Sequence, residues 1–378
     1  MNIGLNTQLL SSQSGYRSAG IHGYIYNTLT HLADVAPDNW RFTAMVGANN
    51  QAQFNKIAMR HANLDTESPL KRIIWEQALQ PFQLGNFDLY HASAFVSPIV
   101  LTKPSVVTVY DLSFIHYPQV LSTARRLYLR LFTALSCRRA ERIIAISQST
   151  ADDVHQSLNI PKDKIDVAPC GYDQTRYHPL DEARITEFRQ QQGLPERFWL
   201  FVGTLEPRKN LTTLLDAYAQ LPQNERLPLV LGGGKGWLYA DIFERVERYG
   251  LQDDVHFPGF IPFEELALWY NSAEVFLFPS VFEGFGLPVL EAMACGKPVI
   301  VSDASSLPEV AGQAGLCIAP HHVEAWTSAL SQAYHDADWR ESASQLSLQE
   351  AQHYSWQNTA QQTVKSYHRA LKLTYENG

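Results

Sequence analysis

The strongest constraint on this chain is an alternation of short apolar runs and helical periodicities that stops once and then starts again. In the first half, strand-like Ile3–Leu5 leads through a polar stretch, Ser11 to Gly23, into a helical pattern over Tyr24–Leu32. Further strand-like runs follow at Phe42–Val46, Leu89–His91, Val106–Tyr110 and Ile143–Ile146. A segment rich in Pro, Gly and Asp, Pro161 to Pro179, then interrupts the pattern and reads as a hinge. Beyond it, strands at Trp199–Val202, Leu229–Leu231, Val255–Phe257, Val275–Phe278 and Pro298–Val301 alternate with helices at Leu211–Gln220, Leu238–Tyr249, Glu264–Trp269 and Pro288–Ala294. A parallel return between strands needs a crossover long enough to hold a helix, so this order favours α/β units built on doubly wound, mainly parallel sheets.

Two units of about 150–200 residues each suit a chain of 378 residues. The expected division is 1–175 and 180–355, two Rossmann-like domains facing across a cleft, with ligands at the carboxyl ends of the strands near the switch in strand order. The last amphipathic stretch, Trp356 to Tyr375, is expected to cross back to the first domain as helix 356–378, although periodicity alone leaves packing on its own domain open.

Composition removes several function classes. A hydrophobic content of 45% with 18% charged residues describes a soluble globular protein. A net charge of −8 argues against nucleic acid as a partner, because a phosphate backbone requires a basic surface. Cys137, Cys170, Cys295 and Cys317 form no CxxC pair, which fits a reducing cytoplasm and offers neither a zinc site nor a disulfide framework. The first ten residues lack a cationic stretch before an apolar run, so they do not read as a secretory signal, and no apolar stretch reaches the roughly 18 residues of a membrane span. The expected location is the cytoplasm, peripheral at most.

Two segments carry chemistry. Gly203-Thr204-Leu205-Glu206-Pro207-Arg208-Lys209-Asn210 joins an apolar strand to a helix, and adjacent cations at such a turn are placed to hold a polyanion with the helix N–H groups. Arg grips phosphate oxygens in pairs while Lys adds a compact charge. Read alone, the segment is equally a solvated basic turn. In the second, strand Val275–Phe278 feeds Pro279-Ser280-Val281-Phe282-Glu283-Gly284-Phe285-Gly286-Leu287-Pro288, and Glu291 follows inside the helix. Gly284 and Gly286 allow close approach of a ligand to the backbone. The two carboxylates stand in different settings, one near a reacting group and one placed to accept hydroxyl hydrogens. The plain alternative is a helix-terminal carboxylate and a surface Glu.

Together the segments resemble the donor site of the retaining GT-B glycosyltransferases of glycosyltransferase family 4: Glu283 and Glu291 meet the EX7E pattern, Glu206 to Asn210 the phosphate-binding "EPRKN", and Ser306-Leu307-Pro308-Glu309-Val310 follows in the same order. The likeness is strong from Phe201 to Pro320 and weaker elsewhere. It implies that Arg208 and Lys209 neutralise the donor diphosphate, that Gly203 and Thr204 lie beside it, and that Glu283 contacts the transferred sugar. It implies further that Gly284, Phe285, Gly286 and Leu287 flank sugar and phosphates, that Glu291 holds the ribose, and that Phe260 and Ile261 line the base pocket. In the first domain Ala19-Gly20-Ile21-His22-Gly23 resembles the glycine loop that approaches the diphosphate. Where many relatives carry His-Asp, this chain has Tyr110-Asp111, so either Tyr110 donates the hydrogen bond of the usual His or His116 enters instead. The resemblance implies a nucleotide-sugar donor, retention of configuration, no cofactor and no obligatory metal, by front-face or double displacement. Relatives with "TLEPRKN" favour GDP-mannose and a mannosyltransferase, moving hexose to a glycan or lipid-linked acceptor in polysaccharide biosynthesis. A pocket that binds nucleotide sugar without turnover, and a hydrolase or epimerase of the same fold, are the alternatives.

Two look-alikes fail. Gly232-Gly233-Gly234-Lys235-Gly236-Trp237 has Trp where GxGxxG requires Gly, and Asp336-Ala337-Asp338 lacks the preceding strand of a metal-binding DxD. Segment 122–144 carries Arg125, Arg126, Arg130, Arg138, Arg139 and Arg142 against Glu141 alone, with Leu, Tyr and Phe between them. Such a basic amphipathic stretch is expected either to rest on an anionic membrane or to be a solvated face over a buried one.

Overall fold

The computed structural model describes residues 1–10, 20–66, 68–117 and 121–373. Ser11 to Ala19 of the polar stretch and Thr374 to Gly378 of the expected terminal helix therefore lie outside the described residues.

The chain divides into two compact units, one formed by Met1–Gly171 with Ser355–Gly378 and the other by Tyr172–Tyr354. The first holds a seven-stranded sheet of β1 (Asn2–Asn6), β2 (Arg41–Val46), β3 (Ile57–His61), β4 (Leu89–Ala92), β5 (Ser105–Val109), β6 (Arg142–Ala145) and β7 (Ile165–Val167). Its order is β3-β2-β1-β4-β5-β6-β7, and every pairing is parallel. The second holds six strands, β8 (Trp199–Val202), β9 (Leu229–Gly232), β10 (Val255–His256), β11 (Val275–Phe278), β12 (Val299–Ser302) and β13 (Gly315–Ile318), in the order β10-β9-β8-β11-β12-β13, again all parallel. Helices cover the faces of parallel sheets, so the central strands are mostly apolar and buried throughout: β4, β5, β8, β9, β11 and β12 expose no residue, and the polar His91, Ser105, Thr108 and Ser302 among them are buried too.

Both strand orders reverse once. In the first unit the chain winds outward from β1 through β2 and β3 and then resumes on the other side at β4; in the second the same reversal separates β8 from β11. Loops leaving the two neighbouring strands at such a point diverge and leave a crevice at their carboxyl ends.

The terminal helix Trp356–Ala370 belongs to the first unit, where it packs along the helix Ile21–Val35 and against β5, β6 and β7. Ser355 caps it by accepting from the N–H of Asn358 at 3.1 Å. The chain passes so close to Gly171 that a Cβ there would lie 2.1 Å from the Trp356 nitrogen. The helix ends at Ala370, short of the expected Tyr375. The segment Pro161 to Pro179 is not simply a hinge: it contains β7, whose three residues Ile-Asp-Val are too short to stand out among flanking Pro, Gly and Asp. Strand β3 also escaped the sequence pattern, because only Ile57 of its five residues is buried.

Candidate functional site

In the second unit the loops after β8 and β11 meet at the strand-order reversal. After β8 the backbone makes a 3₁₀ turn, Pro207–Lys209, and Asn210 takes a left-handed conformation (φ 54°) before the helix Leu211–Ala219. Asn210 is held there by its own side chain, which donates to the carbonyls of Pro279 at 3.2 Å and Pro320 at 2.6 Å and accepts from Thr213 Oγ1 at 2.8 Å. The N–H of Val281 donates to the Arg208 carbonyl at 2.9 Å and ties the two loops together.

This turn sends Arg208 and Lys209 towards Glu283. Lys209 Nζ donates to Glu283 Oε1 at 2.6 Å, and Arg208 Nη1 donates to Glu283 Oε2 at 3.1 Å and to the Phe282 carbonyl at 2.8 Å. Arg208 also donates to Glu206 Oε1 from Nε at 3.1 Å and from Nη2 at 2.9 Å. The Lys209 ammonium sits 4.8 Å from the centre of the Phe278 ring. Burial opposes ionisation of Glu283, but Lys209 and Arg208 outweigh it and hold the carboxyl below the usual carboxylate range. Burial lowers the Lys209 ammonium against the pull of Glu283. Two cations and two carboxylates thus form a balanced, largely desolvated quartet. The two carboxylates hold the guanidinium and the ammonium group in fixed orientation.

Glu283 is positioned through its backbone as well: its N–H donates to Ser305 Oγ at 2.8 Å, and Ser306 Oγ donates to the carbonyls of Glu283 at 3.0 Å and Phe285 at 2.7 Å. Gly286, at φ 106°, starts the helix Leu287–Ala294, and a Cβ there would meet Leu307 Cδ2 at 2.8 Å, so both its conformation and its space call for glycine. Phe285 is buried against Tyr354, and Gly284 lies between it and Glu283. Leu287 is half-buried at the first turn of that helix.

Glu291 occupies another environment on the same helix. Its Oε2 accepts from the hydroxyl of Tyr270 at 2.9 Å, and burial pushes its carboxyl up to about 7. The neighbouring ring of Tyr177 lies 6.0 Å from that of Tyr270, and the Arg176 guanidinium stacks 4.0 Å from the centre of Phe263. The two carboxylates are driven apart, one kept ionised by cations and the other drawn towards its neutral form, the pattern that separates roles within one site.

The loops after β8, β9 and β10 close side by side. Gly233 donates to the Gly259 carbonyl at 2.7 Å, and a Cβ on it would lie 1.9 Å from the Gly203 carbonyl oxygen, so Gly203 and Gly233 pass with no room for a side chain. Thr204 packs against Gly236, where a Cβ would meet its Cγ2 at 2.7 Å. Ile261 is buried against Gly232, and Phe260 beside it is exposed.

In the first unit, Tyr110 and Asp111 follow β5 directly. The Tyr110 hydroxyl donates to the Ser93 carbonyl at 2.7 Å, with its buried ring edge-on to Tyr24 at 5.3 Å. That hydroxyl is committed within the fold, so the expectation that it replaces the usual His requires breaking this bond. His116 Nε2 pairs with both Asp153 oxygens at 2.9 Å, and Asp111 accepts from the Ser113 N–H at 2.8 Å. Gly20 precedes the helix Ile21–Val35 at φ 65°; Ala19 of the expected glycine loop lies outside the described residues. The Arg-rich segment is only partly a helix: five arginines lie on Thr123–Arg139, whereas Arg142 starts β6 and is drawn inward by Asp166, its Nε donating to Oδ2 at 2.8 Å. Asp336 caps the helix Ala337–Ala351 by accepting from the Trp339 N–H at 2.9 Å. Among the described residues, no group of three or more His, Cys, Asp and Glu side chains is arranged to hold a metal ion.

Sequence reasoning missed Tyr270 and Phe278, and the pairing of Glu206 with Arg208. Both aromatic residues look like ordinary apolar core in the pattern, and their roles appear only when distant segments meet.

The family model described as "Glycosyl transferases group 1" matches residues 184–352, and the one described as "Glycosyltransferase Family 4" matches residues 24–176. An O-antigen chain mannosyltransferase B of Escherichia coli is 36% identical over 284 residues, 74% of this chain and 74% of that protein. A D-inositol 3-phosphate glycosyltransferase of Corynebacterium urealyticum is 30% identical over 100% of this chain and 96% of its own. Among solved structures, a sucrose-phosphate synthase from Thermosynechococcus elongatus shares the fold with a TM-score of 0.76 at 22% identity, covering 97% of this chain and 98% of that one. HepE of Anabaena, in complex with UDP and glucose, does so with a TM-score of 0.73 at 20% identity, covering 97% and 98%.

Proposed function

The chain belongs to the group 1 glycosyl transferases, and from that premise we propose that it is a retaining hexosyltransferase of glycosyltransferase family 4 that takes mannose from GDP-mannose. The observation that carries this reading is the quartet of Glu206, Arg208, Lys209 and Glu283 at the strand-order reversal of the second unit. On this reading Arg208 and Lys209 take the donor diphosphate, with Gly203 and Thr204 beside it. Glu283 turns to the transferred sugar, flanked by Gly284 to Leu287. Glu291 accepts from ribose hydroxyls, and Phe260 and Ile261 line the base. The mannosyl donor is supported by the 36% identical O-antigen mannosyltransferase.

The bond from the sugar's anomeric carbon to the phosphate oxygen breaks as the bond to the acceptor oxygen forms, and the acceptor's proton passes to the departing phosphate on the same face. Charge growing on the phosphate falls on Arg208 and Lys209, so the step calls for no cofactor and no obligatory metal. The acceptor is a glycan or lipid-linked saccharide, met at the inner face of the membrane.

Proton NMR of the enzyme with GDP-mannose and a short mannoside follows all of this in one tube. An α-linked product with release of GDP is expected. Free mannose as the sole product would make it a hydrolase, and no consumption of any nucleotide sugar in a panel would sink the reading.

A further inference from the structure

We infer that the first unit holds a saccharide subsite at its own strand-order reversal, where Asn6, Gln8 and Glu76 bind the hydroxyls of an uncharged sugar residue of the acceptor. The donor quartet occupies the equivalent position in the second unit, at the ends of β8 and β11. In the first unit Asn6 is the last residue of β1 and lies opposite Ala92, the last of β4. Its Nδ2 donates to Glu76 Oε1 at 3.1 Å, across 70 positions of sequence. Glu76 belongs to an unusual stretch of backbone: the helix Pro69–Ile74 passes into a π-helical turn, Trp75–Leu79, a form that is rare and gathers at functional sites. Three buried polar atoms of this turn and of the β1 end lack a hydrogen-bond partner among the described residues: Asn6 Oδ1, Gln8 Nε2 and Trp75 Nε1. Asn6 and Gln8 are each 7% exposed, and their other amide atoms are engaged, Gln8 Oε1 by the Thr66 hydroxyl. Leaving such groups unpaired is costly, so they call for a partner from outside the fold. Glu76 is half-buried, and the cluster opens to solvent at that side chain.

The chemistry of the cluster selects that partner. One orphaned atom accepts and two donate, and a sugar hydroxyl does both. Phosphate and carboxylate groups only accept, so they would leave Asn6 Oδ1 unmet and set a second negative charge beside Glu76. Burial pushes the Glu76 carboxyl up to about 7, against the Asn6 hydrogen bond and the pull of Arg72 on the preceding helix. Tyr90 on β4 and Tyr128 on the helix Thr123–Arg139 face it as well, and burial first and then its charge raise both phenols. A sugar that covers Glu76 removes more of its water and favours the protonated form, whose O–H donates to a ring hydroxyl. Acceptor binding therefore weakens as pH rises through about 7. The inference deepens the proposed function and rests on it in taking the sugar to belong to the acceptor.

Saturation-transfer NMR on the full chain tests binding without turnover. The methyl α-glycosides of mannose, glucose and galactose form one set, and mannose 6-phosphate and methyl glucuronide the other. At least one neutral glycoside is expected to receive saturation, and neither charged sugar is. Asn6→Ala should weaken that saturation. In transfer to a short mannoside, Asn6→Ala should raise the acceptor KM about fivefold, the worth of one hydrogen bond, with kcat and the KM for GDP-mannose unmoved. Glu76→Gln, a neutral isostere, should raise the acceptor KM less and abolish its rise with pH. Saturation of the charged sugars equal to that of the neutral ones overturns the subsite. So does saturation of no sugar at all, which would assign the orphaned atoms to trapped water. Variants that both keep the unaltered acceptor KM and pH profile, or that lower kcat alone, also overturn it and leave Asn6 and Glu76 a structural role. If a neutral glycoside binds through Asn6 and no nucleotide sugar is consumed, the subsite stands and the functional reading fails.

Discussion

At the carboxyl ends of β8 and β11 two cations and two carboxylates lie within hydrogen-bonding distance of one another; around the ends of β1 and β4 in the first unit, the ionisable groups are pushed towards neutrality. There His91, bonded to the Tyr367 hydroxyl at 2.6 Å and to Thr108 at 2.8 Å, is drawn by burial down to about 3. Tyr24 spends its hydroxyl on the Ala168 carbonyl at 3.0 Å, and burial pushes Glu76, beside Asn6 at the end of β1, up to about 7. The same strand order thus supports opposite electrostatics. Where cations bond the buried carboxylate directly, as Lys209 and Arg208 bond Glu283, charge persists; where burial outweighs the pull of a more distant cation, as for Glu76 with Arg72, the group is pushed towards neutrality. The proposed diphosphate site rests on the first arrangement, which is found in the second unit.

Removing a member of the quartet should break the contrast most severely. Lys209→Ala leaves Glu283 buried with Arg208 as its one remaining cation. The expected losses are about 10²–10³ in transfer rate and about 3–5 kcal/mol in stability by urea unfolding of the free protein. Glu283→Ala is expected to abolish transfer while nucleotide affinity holds, because the diphosphate itself then balances the two cations; a titration in which affinity falls as far as rate would show that Glu283 serves binding alone.

Glu291→Gln tests the other carboxylate through pH. Its folded value of about 7 stands above the ordinary 4.5, so the folded chain keeps a proton that the unfolded chain releases. Its contribution is therefore fully present below about 4.5 and declines as pH rises to about 7, by on the order of 3 kcal/mol. Glu76 titrates with the same sign, so the substitution should flatten part of the decline seen in urea midpoints across that window and leave the Glu76 part in place. An unchanged profile would remove Glu291 from the comparison. Tyr270→Phe takes away a hydrogen bond that favours the ionised Glu291, and nucleotide binding at neutral pH should weaken by a few fold, about 1 kcal/mol. The smallest effect belongs to Tyr110→Phe: with its hydroxyl already given to Ser93, about 1 kcal/mol of stability should go, and transfer should stay within a few fold. A complete loss of transfer in a folded Tyr110→Phe protein would restore the role its position suggested.

Much of this was legible in the sequence for a physical reason. Buried parallel strands must be apolar and crossover helices must repeat, so Trp199–Val202 and Val275–Phe278 stand out with the bounds they have in the fold. Arg208, Lys209 and Glu283 could be picked out because each follows such a strand. What stayed hidden depends on contacts between distant residues. Glu283 looks free in the sequence yet is pinned by two cations 75 and 74 positions earlier. Tyr270 reads as core until its hydroxyl reaches Glu291, and Arg142 reads as part of a basic helix until Asp166 claims it for β6. Tyr110 was identified by position, and only the Ser93 carbonyl shows what its hydroxyl does.

The most direct test is calorimetric titration of GDP and guanosine into the unaltered protein and into Arg208→Ala. Loss of a charge-assisted grip on phosphate should weaken GDP by at least tenfold, from about 1.5–3 kcal/mol for hydrogen bonds to a charged group. Guanosine, which has no phosphate, should bind both proteins equally. If GDP binds Arg208→Ala as tightly as the unaltered protein, the quartet does not hold the donor's phosphates.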